Sequence, residues 1–313
     1  MPDLAPKPSI TAIILAYNED IHIQRCIERL WPVVERIVVI DSFSTDNTVA
    51  LARSLGAEVL QNAWKNYAAQ FQWGLDHAQI ETDWTMRIDC DEFLESGLCD
   101  TILSEVPTLP PEITACDVKL KVIFKGKFIR WGGYYATTLT RLWRTGIGQI
   151  EQQWMDEKIV LASGKRLLLG GGDLVDENLK DIGWWTDKHN GYATRHMIDF
   201  VNREYHMFET DRRVETDPMN SGRWKRFLRD RVYGSAPLYV RAILYFIQRY
   251  FLRLGFLDGK QGFVWHFLQG FWFFVLIDAK IDEARRYIEL HGLDAFRVKL
   301  AADMGVAEIR PTE

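Results

Sequence analysis

The sequence predicts an α/β protein: a mostly parallel sheet with helices on both faces, followed by a helical C-terminal region. Three observations carry this. Short, apolar, β-branched runs alternate with segments of helical spacing through the first third of the chain. Polar and acidic residues collect where those runs end, at Asn18 and Glu19, at Asp41 to Asp46, and at Asp89 to Glu92. From about Asp176 onward, turn signals give way to long helical patterns rich in aromatic residues.

The elements follow in order. SITAIILAY (Ser9 to Tyr17) reads as a buried strand, and Ile23, Cys26, Ile27 and Leu30 then recur at helical spacing. RIVVIDS is a second strand ending at Asp41. Ser44 or Thr45 is placed to cap a helix through Val49, Leu51 and Ala52 to Gly56, a natural C′ residue. AEVL is a third strand, Tyr67 to Ala78 a further helix, and DWTMRID a fourth strand. In such sheets ligands bind beyond the carboxyl ends of the strands, where the acidic residues lie.

After Pro107 to Pro111, DVKLKVIFKG sets Val118, Leu120, Val122 and Phe124 against Lys119, Lys121 and Lys125, as in a half-exposed strand. TTLTRLW and RLLLG extend the sheet, with Gly132-Gly133 and Gly170 to Gly172 at turns. Between Trp224 and Arg253, aromatic and aliphatic residues are interleaved with Lys225, Arg226, Arg229, Arg231, Arg241, Arg249 and Arg253. That pattern has two readings: a helical cap whose arginine heads reach water, or a cationic, aromatic face on an anionic membrane leaflet. Peripheral membrane contact is the expectation. GFVWHFLQGFWFFVLID is slightly short, and interrupted by His266, Gln269 and Gly270, for a membrane span.

The 313 residues are 47% hydrophobic and 26% charged, a globular composition. A net charge of -5 gives no global attraction to nucleic acid. Cys26, Cys90, Cys99 and Cys116 lack zinc or CxxC spacing and read as free thiols, which favours a cytoplasmic location. The short apolar run near the N-terminus reads as neither signal peptide nor span.

The chemistry centres on RIDCDEF. Asp89, Asp91 and Glu92 repel one another and are costly to desolvate, so some positive charge must accompany them. A hard divalent cation, Mg²⁺ or Mn²⁺, would accept carboxylate oxygens, keep positions for phosphate and neutralise a diphosphate leaving group. Acidic pairs also occur in ordinary turns, and Asp41 to Thr48 also reads as an Asp/Ser turn before a helix cap. Asp41 itself ends a buried strand, where a carboxylate can bond ribose or base.

ILAYNED, VVIDSFSTDNT, WKNYAAQFQWGL and WTMRIDCDEF occur in the order and spacing of family 2 glycosyltransferases, which have the GT-A fold. The chain resembles the lipopolysaccharide-core β-1,4-glucosyltransferase branch, also in YFIQRYFLRLGFLDGKQGF. The resemblance implies a catalytic domain over 1–175, divided into a nucleotide-sugar half (8–100) and an acceptor half (101–175), with a helical region over 176–313. It implies that Ala16, Tyr17 and Glu19 line the nucleotide pocket, with Asp41 near uracil or ribose. Asp91 would be the principal metal ligand, with Asp89 beside it near the sugar and ribose. Gln70 is the candidate for a donor contact. Arg141 and Arg144 are placed to approach the diphosphate or an anionic acceptor, or to pair with surface acids.

The family is inverting and needs a carboxylate base on the acceptor side. Relatives carry a His-Glu pair where this chain has Asp156-Glu157, so Glu157 is the expected base and Asp156 the alternative. His189, His196, Trp184 and Trp185 are expected to be packing or surface residues. The donor expected is a UDP-hexose, and the acceptor a saccharide or lipid-linked saccharide at the cytoplasmic face. The rival readings are a phosphotransferase using an Asp nucleophile, and a non-catalytic nucleotide-sugar-binding or membrane scaffold.

Overall fold

The computed structural model describes residues 7–155, 157–208, 237–306 and Ile309. Strands β1 (Ile10–Ala16), β2 (Arg36–Asp41), β3 (Glu58–Gln61) and β4 (Trp84–Asp89) pair in parallel in the order β3-β2-β1-β4. Side chains alternate across each strand, so one strand serves two cores. Ile10, Ala12 and Ile14 face helix α1 (Asp20–Leu30) through Ile23, Cys26, Ile27 and Leu30. Ile13, Val38 and Ile40 face α3 (Tyr67–His77) through Ala68 and Phe71. α2 (Thr48–Ser54) packs beside α1 on the same face, and its chain turns at Gly56 with φ 85°.

The expected cap at Ser44 or Thr45 is not formed. The helix begins at Thr48, and Asn47 at its N-cap makes no side-chain capping bond. Ser44 Oγ instead accepts from Asn18 N at 2.8 Å, and Thr45 N donates to Asn18 Oδ1 at 2.8 Å. Long-range bracing between two strand-end loops has taken the groups that would have capped the helix.

Beyond β4 the sheet continues with β8 (Thr138–Arg144), antiparallel to β4 and to β6 (Ile113–Phe124). Along β6, Val118, Leu120, Val122 and Phe124 are buried, as the alternation with lysines predicts. β12 (Leu174–Glu177) lies parallel to β6 and pairs with β5 (Glu92–Leu94), which closes the far edge beside the acidic motif. β11 (Lys165–Leu168) and β7 (Lys127–Phe128) also pair with β6, while β9 (Gly148–Ile150) and β10 (Ile159–Leu161) form a separate ribbon under α3. α4 (Ser96–Glu105) packs on the same face as α1.

The sheet runs through Glu177, and helix α5 (Ile182–Tyr205) follows, with the Asp181 side chain accepting from Trp184 N at 2.9 Å. α6 (Val240–Ile247) continues into a π-helical turn. One helical run then extends over Gly255–His291, containing α7 (Gly259–Phe267), a π segment and α8 (Phe273–His291). The expectation that this stretch is too short for a span needs correction. The run is long and apolar enough to cross a membrane by length and composition. Its later half is nevertheless a core helix: Phe273, Ile277, Ile281 and Ala284 meet Ala193, Met197, Ile198 and Val201 of α5, with Phe296 and Leu300 of α9 (Leu293–Met304) completing a second core.

Candidate active site

The first four strands end side by side: Ala16 beside Asp41, Asp41 beside Gln61, and Leu15 beside Asp89. Asp41 is fully buried. Its Oδ2 accepts from Ser44 N (3.0 Å) and Gln61 Nε2 (2.9 Å), whereas Oδ1 has no partner among the described residues. A buried carboxylate oxygen without a donor carries a desolvation cost that an arriving N–H or O–H would remove. Tyr17 and Phe43, just beyond these strand ends, are 56% and 54% exposed, offering flat apolar surface at the same edge.

Gln70, expected at the donor, is turned inward, and Glu19 is held in an ion-pair network at the same edge. Gln70 is buried, donating to Ser42 Oγ and Asn62 O at 3.1 Å each and accepting from Asn62 Nδ2 at 2.9 Å. It braces the loops after β2 and β3. Glu19 accepts from Lys180 Nζ at 2.9 Å and lies 2.6 Å from His22 Nδ1. Since His22 Nε2 accepts from Leu179 N at 2.8 Å, the proton of a neutral ring sits on Nδ1 and is donated to Glu19. Lys180 Nζ also donates to Asn18 O at 2.7 Å, so the segment between β12 and α5 is latched across the end of β1.

The acidic motif is compensated largely from within. Arg141 Nη2 donates to Glu92 Oε1 and lies 3.5 Å from Asp89 Oδ2. Glu92 Oε2 in turn accepts from Asp89 N at 3.0 Å. The Tyr67 hydroxyl donates to Asp89 Oδ1 and accepts from Arg87 Nε at 3.0 Å. Arg87 also lies over the Tyr67 ring, 4.2 Å from its centroid. Burial opposes charge on Asp89, but Arg141, Arg87 and the Tyr67 hydroxyl hold its carboxyl below the ordinary range. Burial, with the charge of Asp89, instead pushes Glu92 up to about 8 despite Arg141. The positive charge required by RIDCDEF is thus partly two buried guanidiniums, not a cation alone.

Asp91 differs. Its Oδ2 accepts from Asn178 Nδ2 at 2.9 Å, and its backbone oxygen accepts from Glu177 N at 3.0 Å. Next to this contact on β12 is Asp176, pushed up to about 7 by burial and then by the charge of Asp91. Lys188 on α5, with Asp91 and Glu19 among the charges acting on it, is held protonated against its own burial. No cluster of three or more His, Cys, Asp or Glu side chains suited to a metal occurs among the described residues. A cation of the Mg²⁺ type needs only one or two carboxylates when phosphate and water complete its shell. Asp91 with Asp176 beside it fits that donor set. Asp89 fits less well, because its oxygens already face Tyr67 and Arg141.

Glu157 joins the same constellation through Arg87, whose Nη2 lies 3.5 Å from its Oε1. Asp156 lies outside the described residues. Arg144 is a correction: it pairs with Trp84 at the start of β4, the opposite end from Asp89. There it donates to Ile113 O and Leu109 O at 3.1 Å each and stacks on Trp84. Sequence reasoning passed over Arg87, Tyr67, Asp176, Asn178 and Lys180. Arg87 and Tyr67 were inside the quoted motifs, whereas Asp176 and Asn178 sit in a short, weakly apolar strand and its exit, with no local signal. His189 stacks on Trp185 at 3.4 Å and His196 packs edge-on to Phe273, both as packing residues.

The acidic residues thus gather at the carboxyl ends of the parallel strands, one of which carries an Asp-x-Asp motif, the edge at which sheets of this kind bind ligands. Residues 11–162 match the family model "Glycosyl transferase family 2". The chain is similar to an uncharacterized glycosyltransferase of Rickettsia felis, 39% identical over 93 residues, 30% of this chain and 32% of the relative. It is also similar to a lipopolysaccharide core biosynthesis glycosyltransferase, LpsC, of Rhizobium meliloti, 35% identical over 115 residues, 35% of this chain and 41% of that protein. The chain therefore spans about a third of the length of the curated relatives it matches. A solved structure of glucosyl-3-phosphoglycerate synthase from Mycobacterium tuberculosis with Mn²⁺, UDP and phosphoglyceric acid matches at TM-score 0.30 and 22% identity, over 38% of this chain and 44% of that one.

Proposed function

We propose that the protein is an inverting, metal-dependent hexosyltransferase. It takes a UDP-hexose as donor and a saccharide or lipid-linked saccharide as acceptor, in cell-envelope polysaccharide or lipopolysaccharide assembly at the cytoplasmic face of the membrane. The observation that carries the reading is the strand-end constellation within a family 2 domain: Asp41 with an unpartnered buried oxygen, and Asp91 facing the same edge without a guanidinium on its carboxylate.

Asp41 Oδ1 would accept from the base or ribose of the donor, with Ala16 at the pocket floor and Tyr17 at its mouth. Asp91, with Asp176 beside it, would hold the divalent cation, which when bound supplies charge neutralisation for the diphosphate. Arg141 and Arg87 fix Asp89 near the sugar. Glu157 would take the acceptor hydroxyl proton as the acceptor oxygen bonds the anomeric carbon. The bond from that carbon to the diphosphate breaks on the opposite face, so the configuration inverts. Arg87 Nη2, 3.5 Å from Oε1, sets a positive charge beside Glu157 and would orient it toward the acceptor.

The test measures UDP release from UDP-hexoses with membrane glycolipid as acceptor, on wild type and Glu157→Gln, with product configuration read by NMR. A general base accounts for about 10²–10⁴ in rate, so Glu157→Gln should lower turnover by at least ~100-fold while UDP affinity holds. Unchanged turnover in Glu157→Gln, or a product retaining the donor configuration, would contradict the assignment.

A further inference from the structure

Two of the C-terminal arginines, Arg241 and Arg249, turn inward. Arg241 Nε donates to Asp278 Oδ1 at 2.7 Å, deep in the second core. Arg249 is buried, its guanidinium 5.3 Å from the ring centroids of both Tyr134 and Tyr245. What α6, the following turn and α7 present to solvent is apolar. Leu244, Phe251, Leu252, Phe256, Leu257 and Phe263 are all exposed, Leu252 at 75%. Ile243, Ile247 and Phe251 recur along one stripe, and Phe263 and Phe267 along one face of α7, with Phe256 in the turn before it. The two stripes adjoin, with the Tyr250 and Phe263 ring centroids 5.7 Å apart and those of Phe246 and Phe267 6.4 Å apart. A continuous face of this kind is not ordinary surface for a soluble protein.

We infer that the face formed by residues 239–267 inserts into the interfacial layer of an anionic bilayer, held by its apolar side chains and not by a cationic patch. The inference rests on the membrane-surface reading above and specifies its mechanism. Two observations choose a bilayer over a second copy of the chain. The only exposed charged side chains within 239–267 are Arg253 and Lys260, both cations, and the one carboxylate, Asp258, is buried. Anionic headgroups complement that rim around Leu252 and Phe256, whereas a two-fold interface centred there would bring the same cations together; exposed acids of α8, Asp282 and Glu283, border the face at its Tyr239 end. Trp131, exposed on the loop whose backbone donates to Asp258, adds a side chain suited to the headgroup region.

The face is also tied to the site. Asp258 accepts from Arg130 N and Trp131 N at 3.2 and 2.9 Å, and Gly132 N donates to Arg253 O at 2.9 Å. Gly132 and Gly133 have φ of 80° and 73°, and a Cβ on either would strike His266 or Arg253 at 2.2 Å. The loop carrying them leads into β8 and Arg141, so insertion fixes which edge of the acceptor side meets the lipid surface.

The test is flotation of the full chain with phosphatidylethanolamine–phosphatidylglycerol vesicles and with phosphatidylcholine vesicles, at low and high salt. Wild type should float with both, more strongly with the anionic ones, and remain bound in high salt. Leu252→Glu with Phe256→Glu should lower the vesicle-bound partition coefficient by about tenfold or more, with UDP affinity and thermal unfolding unchanged. Arg253→Gln with Lys260→Gln should remove only the preference for anionic vesicles. Release by high salt together with indifference to the two glutamates would overturn the inference in favour of electrostatic docking. Failure to float, together with a dimer that the same glutamates dissolve, would assign the face to a second copy. UDP binding is read separately, so either result leaves the transferase reading standing.

Discussion

Arg141 holds the acidic motif together at the scale of single residues, bridging Glu92 and Asp89 from the middle of β8. Removing one partner of a buried ion pair strands the other. Arg141→Met should therefore cost about 3–5 kcal/mol in urea unfolding, and adding Asp89→Asn, which removes the carboxylate that Arg141 holds ionised, should return part of that loss. A cost below about 1 kcal/mol, as for an exposed pair, would show that the bridge is solvated. In the sequence, Arg141 and Arg144 looked equivalent, but residues three apart on a strand point to opposite faces. Only one could join the site, and the identity of that face depended on pairing with β4. A second prediction concerns His189 and His266, both lowered from 6.5 to about 4 by burial. The folded form binds fewer protons than the unfolded one between these values, so their contribution is full above about pH 6.5 and lost as pH falls through about 4. The slope reaches about 1.4 kcal/mol per pH unit for each ring. Imidazole NMR signals should stay those of neutral rings at pH 5.5, and a titration midpoint near 6.5 would contradict their burial as neutral groups.

Among the elements, the parallel strands were legible because strands covered on both faces read as continuous apolar runs. β1, β2 and β4 follow their apolar runs closely. β9 and β12 were not legible: GQI and LVDE are too short for periodicity, and they exist because β10, β6 and β5 offer them edges. That loss mattered, since β12 brings Asp176 and Asn178 to Asp91. α3 positions Tyr67 at its first residue, where Asn66 caps the helix by accepting from Ala69 N at 2.8 Å. Asn66→Ala should cost about 1 kcal/mol or more of unfolding free energy, while Asn66→Asp retains most of the cap. Equal losses in the two variants would show that the cap does not hold the helix start.

For the whole molecule, the sequence motifs pointed to the family whose model matches residues 11–162 and to the sheet edge where the acidic residues collect. They did not show how charge is arranged there. The guanidiniums of Arg87 and Arg141 serve Asp89 and Glu92, whereas the Asp91 carboxylate accepts from Asn178, which is why the proposed reading gives the cation to Asp91. Nor did an even spread of arginines among aromatics show that two of them turn into the protein and leave the apolar side chains outside. Both features arise from tertiary pairing that no local window contains. The central claim is a UDP site at the strand ends that depends on Asp91, and calorimetry of UDP binding with and without Mn²⁺ on wild type and Asp91→Asn tests it most directly. The account predicts binding that Mn²⁺ strengthens in wild type and does not strengthen in the variant. No UDP binding under either condition, or equal Mn²⁺ enhancement in Asp91→Asn, would contradict it.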